Sequence, residues 1–278
     1  MSQESNVGGK KRTARYHDQD YLLRNQYQDG TNFGARVELS RRFSVNKYGW
    51  QRWIFEQLRI DEAGSVLELG CGLGWLWLVN RSRIPADWMI TLSDFSSGML
   101  QEARQRLGEE RFSYKVVDAQ AIPYPDASLD AVIANHMLYH VPDLPSVLSE
   151  IRRVLKPGGR LYATTIGREH MREMSELARQ ALPEIPWRNF GEIAPFVLEN
   201  GQELLTPFFA SVALLTYEDA LAVTEAEPLL AYALSGHANS LMQAENQAAL
   251  RARIQQEIDE HGVLHITRAS GMFMASKE

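Results

Sequence analysis

The sequence predicts an α/β protein: a doubly wound, mostly parallel sheet of seven strands, with a helical N-terminal arm and an inserted lid. Three observations carry that expectation. Short apolar runs alternate with helix-period segments between residues 65 and 166, the pattern of βαβ units whose sheet is covered on both faces. The run 129–134 is almost continuously apolar, as a strand buried on both faces requires. The first run, Val66-Leu67-Glu68-Leu69, passes directly into Gly70-Cys71-Gly72-Leu73-Gly74, so a strand turns on glycines into a helix N-terminus.

The elements follow in order. Residues 1–14 are polar and read as a solvated tail, including the basic Lys10, Lys11, Arg12 and Arg15 that follow or end it. Residues 16–27 suggest a short helix, 28–32 a turn, and 35–43 a helix with Val37, Leu39 and Phe43 apolar. After a break at 46–49, a helix over 50–58 places Trp50, Trp53, Ile54 and Leu58 on one face. Together, residues 1–60 form the expected tail and arm. A core over 61–168 follows, with strands at 65–69, 89–93, 114–117, 129–134 and 160–165. Its helices run over 73–81, from the N-cap Ser96 with Met99, Leu100, Ala103 and Leu107 on one face, and from Asp143 to the breakers Lys156-Pro157-Gly158-Gly159. The remainder, 169–278, is expected to supply a substrate lid and the last strands. It reads as a helix over 169–181, an irregular stretch with four prolines over 182–207, a strand over 212–223, helices over 225–235 and 240–260, and a final strand over 263–275 broken at Ala269-Ser270.

Composition narrows the function classes. A formal charge of -6 and a pI near 5.7 argue against a general nucleic-acid binder. The single cysteine, Cys71, excludes an internal disulfide and suits a reducing cytoplasm. Within the glycine turn it has no base partner nearby in sequence and reads as a packing residue. No apolar segment follows the basic N-terminal residues as in a signal peptide, and no apolar run reaches the ~18 residues of a membrane span. A cytoplasmic protein without membrane or nucleic-acid partners is expected.

Ligands of open parallel sheets bind at the carboxyl ends of the strands. Those ends offer Glu68 with the glycine turn, Asp94 with Phe95, Asp118 with Ala119, and Asn135 with His136, Tyr139 and His140. Acids at three successive strand ends suit a ligand rich in hydroxyl and amino donors. The turn is spaced Gly70-x-Gly72-x-Gly74, and Trp75 stands where a dinucleotide turn needs a small residue. The spacing therefore favours a nucleoside without a pyrophosphate.

Glu68-Leu-Gly-Cys-Gly-Leu-Gly74 resembles the first motif of class I S-adenosylmethionine-dependent methyltransferases, and the segments 92–100, 117–119, 130–136 and 155–161 match the later motifs in order and spacing. The resemblance is to the ubiquinone/menaquinone-biosynthesis-like branch acting on small molecules, and it covers residues 65–167. It implies a Rossmann-like fold, S-adenosyl-L-methionine as cofactor with S-adenosyl-L-homocysteine as product, and SN2 methyl transfer to a small-molecule acceptor. Carried over by position, Gly70, Cys71, Gly72 and Gly74 turn around the methionine moiety. Glu68 is the motif's acid, Asp94 the ribose acid, and Phe95 and Met99 flank the adenine. Asp118 and Ala119 meet the adenine edge, and Asn135 lines the methionine part. In this superfamily an N-terminal segment often closes over the cofactor. That points to Tyr21, among Tyr16, Tyr21 and Tyr27, near the sulfonium, and to Asn32 or Arg36 near the carboxylate.

An activated sulfonium needs alignment and desolvation more than acid or base. A base is required only if the acceptor must lose a proton, and His136 and His140 are the nearest candidates. Their His-x-x-x-His spacing would suit two metal ligands on a helix face, but no third ligand is evident and no metal is expected. Trp187, Phe190 and Phe196 are candidates for an apolar acceptor pocket, and the N-terminal arm for contact with a second copy. The competing readings are a nicotinamide-dependent oxidoreductase on a similar sheet, a methyltransferase of a macromolecule, and a regulator that binds the cofactor without transfer.

Overall fold

The computed structural model describes residues 31–61, 63–236 and 242–278. Seven strands form one sheet: β1 (Ser65–Leu69), β2 (Met89–Asp94), β3 (Phe112–Val116), β4 (Leu129–Asn135), β5 (Leu155–Ile166), β6 (Ser211–Val223) and β7 (Leu264–Ser276). Their order is β3-β2-β1-β4-β5-β7-β6. The first five are parallel to one another, and β7 runs antiparallel between β5 and β6. Strand order reverses between β1 and β4, which opens a crevice at their carboxyl ends.

Period-two alternation sends neighbouring side chains to opposite faces. Leu67 and Leu69 of β1 join Val132, Ala134, Leu161 and Ala163 under α5 (Leu144–Val154), whose Val147, Leu148 and Ile151 are buried there. Val66, Ala131, Ile133 and Tyr162 pack on the other face against α2 (Trp50–Gln57), α3 (Trp75–Asn80) and α4 (Ser97–Leu107). A further cluster joins α1 (Thr31–Phe43), α6 (Arg172–Ala181), α9 (Ala226–Leu234) and α10 (Ala244–His261) to Leu221, Val223, Leu264 and Ile266 of β6 and β7. The short helices α7 (Phe190–Ile193) and α8 (Gly201–Leu205) lie in the proline-rich stretch.

Several expected boundaries shift, each for a local reason. β7 is continuous, because Ser270 pairs with both Ile166 of β5 and Tyr217 of β6, and Ala269 pairs with Glu218. Beyond Ser270, β7 and β6 continue past the end of β5. β5 begins at Leu155 rather than 160, and its glycines are tied to the chain's end by Gly158 N–H to Lys277 O and Lys277 N–H to Gly159 O. The helix expected over 169–181 starts at Arg172, because Met171 before it is left-handed, with φ +61°. β3 runs two residues earlier than expected, and the last helix starts at Ala244. Among the described residues, no helix is long and apolar enough to cross a membrane.

Candidate active site

Gly70, Gly72 and Gly74 all have positive φ, +67°, +54° and +73°, where L side chains are strained. A Cβ on Gly70 would lie 2.9 Å from Cβ of Met137, and one on Gly74 would lie 2.5 Å from Cδ1 of Leu107 in α4. At Gly72 the nearest such atom is Met99 Cε at 3.6 Å. Asp94 fastens this turn to the end of β2. Its Oδ2 accepts from Gly72 N–H at 2.9 Å and its Oδ1 from Ser96 N–H at 2.8 Å. A carboxylate has about four acceptor positions, so both oxygens retain capacity for ligand hydroxyls. Burial pushes the Asp94 carboxyl upward against the lowering effect of these N–H groups. Gly74→Ala should combine backbone strain with overpacking against α4 and cost about 2 kcal/mol. Urea unfolding tests this, and a variant as stable as wild type would contradict it.

Glu68 alternates onto the face that α3 covers and is 2% exposed. Its Oε2 accepts from Trp77 Nε1 at 2.5 Å and its Oε1 from Asn135 Nδ2 at 2.8 Å. Thr164 Oγ1 donates to Asn135 Oδ1 at 3.3 Å and accepts from His136 N–H at 3.0 Å. A polar chain thus links α3, β1, β4 and β5 beneath the turn. Burial raises the Glu68 carboxyl to about 7, with the Asn135 and Trp77 hydrogen bonds opposing it.

The other expected residues divide. Phe95 is 38% exposed at the end of β2, open to a ligand, whereas Met99 is buried beneath Gly72. Asp118 Oδ1 accepts from Gln120 N–H at 2.9 Å, and Ala119 is buried beside it. Cys71 is buried, its thiol pushed well up by burial and by Asp94 and Glu68, so it is packed rather than reactive. Tyr16, Tyr21 and Tyr27 lie outside the described residues, as does the Asn32 side chain. Arg36 donates to Ser235 through Nε to Oγ and Nη2 to the carbonyl, at 3.1 and 2.8 Å. Two expectations need correction. His136 and His140 do not share a helix face: His136 is left-handed, with φ +50°, and residues Leu138–His140 form a 3-10 turn. The His136 ring lies 5.4 Å from Trp50, whereas His140 packs on Tyr139 and Phe190. Nor do Trp187, Phe190 and Phe196 form one cluster. Phe196 is 0% exposed against Phe273 at 5.6 Å, because its segment closes the sheet's core, and Trp187 packs with a different cluster from Phe190.

Sequence reasoning missed Trp77 and Thr164 as partners of the site, and gave Trp50 only a packing role. It also missed Arg268 and His170. His170 is buried, with Nδ1 3.0 Å from Ala269 O. Burial and the charges of Arg268 and Arg36 lower the His136 imidazole to about 4. His170 is lowered well below its ordinary range by burial, then by Arg268 and His136. The placement of His170 next to Gly167, at the end of β5, was the available signal.

A reversed-order parallel sheet with a left-handed glycine turn at β1 and an acid closing β2 is an arrangement suited to a nucleoside at the strand ends. Residues 67–163 match the family described as a methyltransferase domain. A ubiquinone/menaquinone biosynthesis C-methyltransferase, UbiE, of Desulfotalea psychrophila is 39% identical over 112 residues, 40% of this chain and 45% of that protein. A malonyl-[acyl-carrier protein] O-methyltransferase of Erwinia pyrifoliae is 33% identical over 153 residues, 55% of this chain and 56% of that protein. The chain therefore spans about half the length of the curated relatives it matches. Phosphoethanolamine N-methyltransferase 2 of Haemonchus contortus, solved with phosphomonomethylethanolamine and S-adenosylhomocysteine, shares the fold at TM-score 0.57 and 20% identity, covering 94% of this chain and 60% of that one. Residues 67–163 thus resemble a class I S-adenosylmethionine-dependent methyltransferase domain, and the relatives they match include UbiE. The chain's residues fit that cofactor: the side-chain-free turn, the acceptor capacity of Asp94 and the exposed Phe95 ring suit a nucleoside carrying a short polar chain.

Proposed function

We propose that the protein transfers a methyl group from S-adenosylmethionine to a small-molecule acceptor. The observation that carries this reading is the Asp94 carboxylate fastened to Gly72 N–H, which holds the glycine turn in a form suited to the donor and leaves acceptor capacity for ribose hydroxyls. The turn, Asp94 and Phe95 would hold the donor, with Asp118 and Ala119 at the adenine edge. The cofactor supplies an electrophilic methyl, so the chain's task is alignment and exclusion of water. Asn135, held by Glu68 and Thr164, is rigid where the methionine part would lie. His136 is the imidazole nearest an acceptor that must lose a proton, but burial and the charges of Arg268 and Arg36 lower it to about 4, so it is a weak base and suits an already acidic acceptor group. Residues 169–278 act in this reading as lid and sheet completion, and the lone buried cysteine suits a cytoplasmic setting.

Calorimetry with S-adenosylhomocysteine should give a single-site isotherm with Kd in roughly the micromolar range, while NADH should show no change in nicotinamide fluorescence. Saturable NADH binding without S-adenosylhomocysteine binding would replace this reading with the oxidoreductase one. Methyl-labelled donor incubated with carboxylated and phenolic metabolites then seeks the acceptor.

A further inference from the structure

Arg268 stands on β7 two residues beyond Ser270, which faces Ile166, the last residue of β5. It therefore lies past the carboxyl end of the sheet, on the side of the crevice away from β2 and β3. Its Nη1 donates to Ser40 Oγ at 2.9 Å, and Ser40 Oγ donates in turn to Arg36 O at 3.1 Å, so the guanidinium is pinned to α1. Its Nε is buried and donates to no group among the described residues.

Among the described residues no carboxylate forms an ion pair with Arg268. Asp219, opposite it on β6, accepts from Ser44 Oγ and Asn46 N–H through Oδ1, and Glu173 accepts from both N–H and Oγ1 of Thr267. Its charge acts on His136 and His170, both held neutral, and on Tyr217. His170 Nδ1 carries its proton toward the Ala269 carbonyl. A half-buried guanidinium with one N–H unpartnered and no ion pair among the described residues is unfavourable by itself. It matches carboxylate and phosphate oxygens in a planar fork.

We propose that Arg268 anchors an anionic group, a carboxylate or a phosphate, on the methyl acceptor. The inference rests on the methyltransferase reading, since it places this anion on the acceptor rather than on the donor. The glycine turn that would hold the donor follows β1, three strands from β7 in the sheet order, or about 14 Å at ordinary strand spacing. That separation leaves the guanidinium nearer the His136 side of the crevice, with Trp50 against that imidazole as an apolar wall.

The test uses the full chain saturated with S-adenosylhomocysteine. Acetate and inorganic phosphate are titrated separately at constant ionic strength, following melting temperature and the Arg268 Nε–H resonance. At least one anion should saturate and shift that resonance. Arg268→Gln should abolish the response while keeping S-adenosylhomocysteine affinity within about threefold, and Arg268→Lys should keep part of it. Absence of a saturable response to either anion, or an unchanged response in Arg268→Gln, overturns the proposal. So does a loss of S-adenosylhomocysteine affinity above about tenfold in that variant, which would assign Arg268 to the donor's carboxylate. If Arg268→Gln does not fold, the wild-type resonance and Arg268→Lys decide. Failure of wild type to bind S-adenosylhomocysteine would instead strike the methyltransferase reading, and the anion titration of the free protein would still decide whether Arg268 takes an anion.

Discussion

Replacing Glu68 with alanine should lower the unfolding free energy by about 4 kcal/mol at pH 5 and by markedly less at pH 8. The large term is the pair of donors left behind, Trp77 Nε1–H and Asn135 Nδ2–H, which now point at the same carboxylate. The Trp77 donor is fully buried, whereas Asn135 is half-buried, so the Trp77 N–H carries the larger share. An unsatisfied buried donor costs about 1–3 kcal/mol, and the vacated volume adds to it. Glu68→Gln keeps the shape but turns one amide N–H toward a donor, so about 2 kcal/mol should be lost.

The pH dependence has a definite sign. Folded Glu68 titrates near 7 against an ordinary 4.5. Between those values the folded state keeps a proton that the unfolded state has released, so stability falls as pH rises. The contribution is fully present below 4.5 and gone above about 7. It amounts to about 3 kcal/mol across that window. Alanine has nothing to titrate, so the gap between wild type and Glu68→Ala should narrow from pH 5 to pH 8. Urea unfolding at both pH values measures it. A gap that stays constant from pH 5 to pH 8 would show that Glu68 is ionised in the folded state throughout.

Much of this site was legible from local sequence and the rest was not, and the difference is physical. The strand, its glycines and the acids after β2 and β3 are neighbours in sequence or sit at strand ends, so a parallel sheet brings them together whatever else the chain does. Trp77 was hidden because burial of Glu68 depends on which face of β1 it occupies and on a helix covering that face. Thr164 joins the same chain only through the β4–β5 register, which pairs it with Asn135. The histidines misled because their spacing suits a helix, whereas a left-handed His136 followed by a 3-10 turn sends the rings to different neighbours. Phe196 resembled a pocket residue in a proline-rich stretch, yet that stretch folds back so that Phe196 meets Phe273 of the last strand. Arg268 could not be seen at all: its surroundings come from α1, β4 and the segment after β5, brought together only by the antiparallel β7.

The largest effect on ligand binding is expected at Asp94. Asp94→Ala should weaken S-adenosylhomocysteine by about 100-fold or more, since it removes the tie to Gly72 N–H and Ser96 N–H and the acceptor for ribose hydroxyls together. The two contributions can be separated, because the tie belongs to the protein and the hydroxyl acceptance to the ligand. Comparing S-adenosylhomocysteine with its 2′,3′-dideoxy analogue in wild type and Asp94→Ala forms a double-mutant cycle. If Asp94 accepts from the ribose, the analogue should bind wild type about 10- to 100-fold more weakly and bind the variant no worse than the parent ligand does. If Asp94 only holds the turn, the variant should weaken both ligands by the same factor, leaving no coupling. Calorimetry of the four pairs reads the coupling directly. A loss above about tenfold that is shared equally by the two ligands would confine Asp94 to shaping Gly70–Gly74. A coupled loss would give it both tasks, with Gly72 N–H fixing the orientation in which the carboxylate meets the hydroxyls.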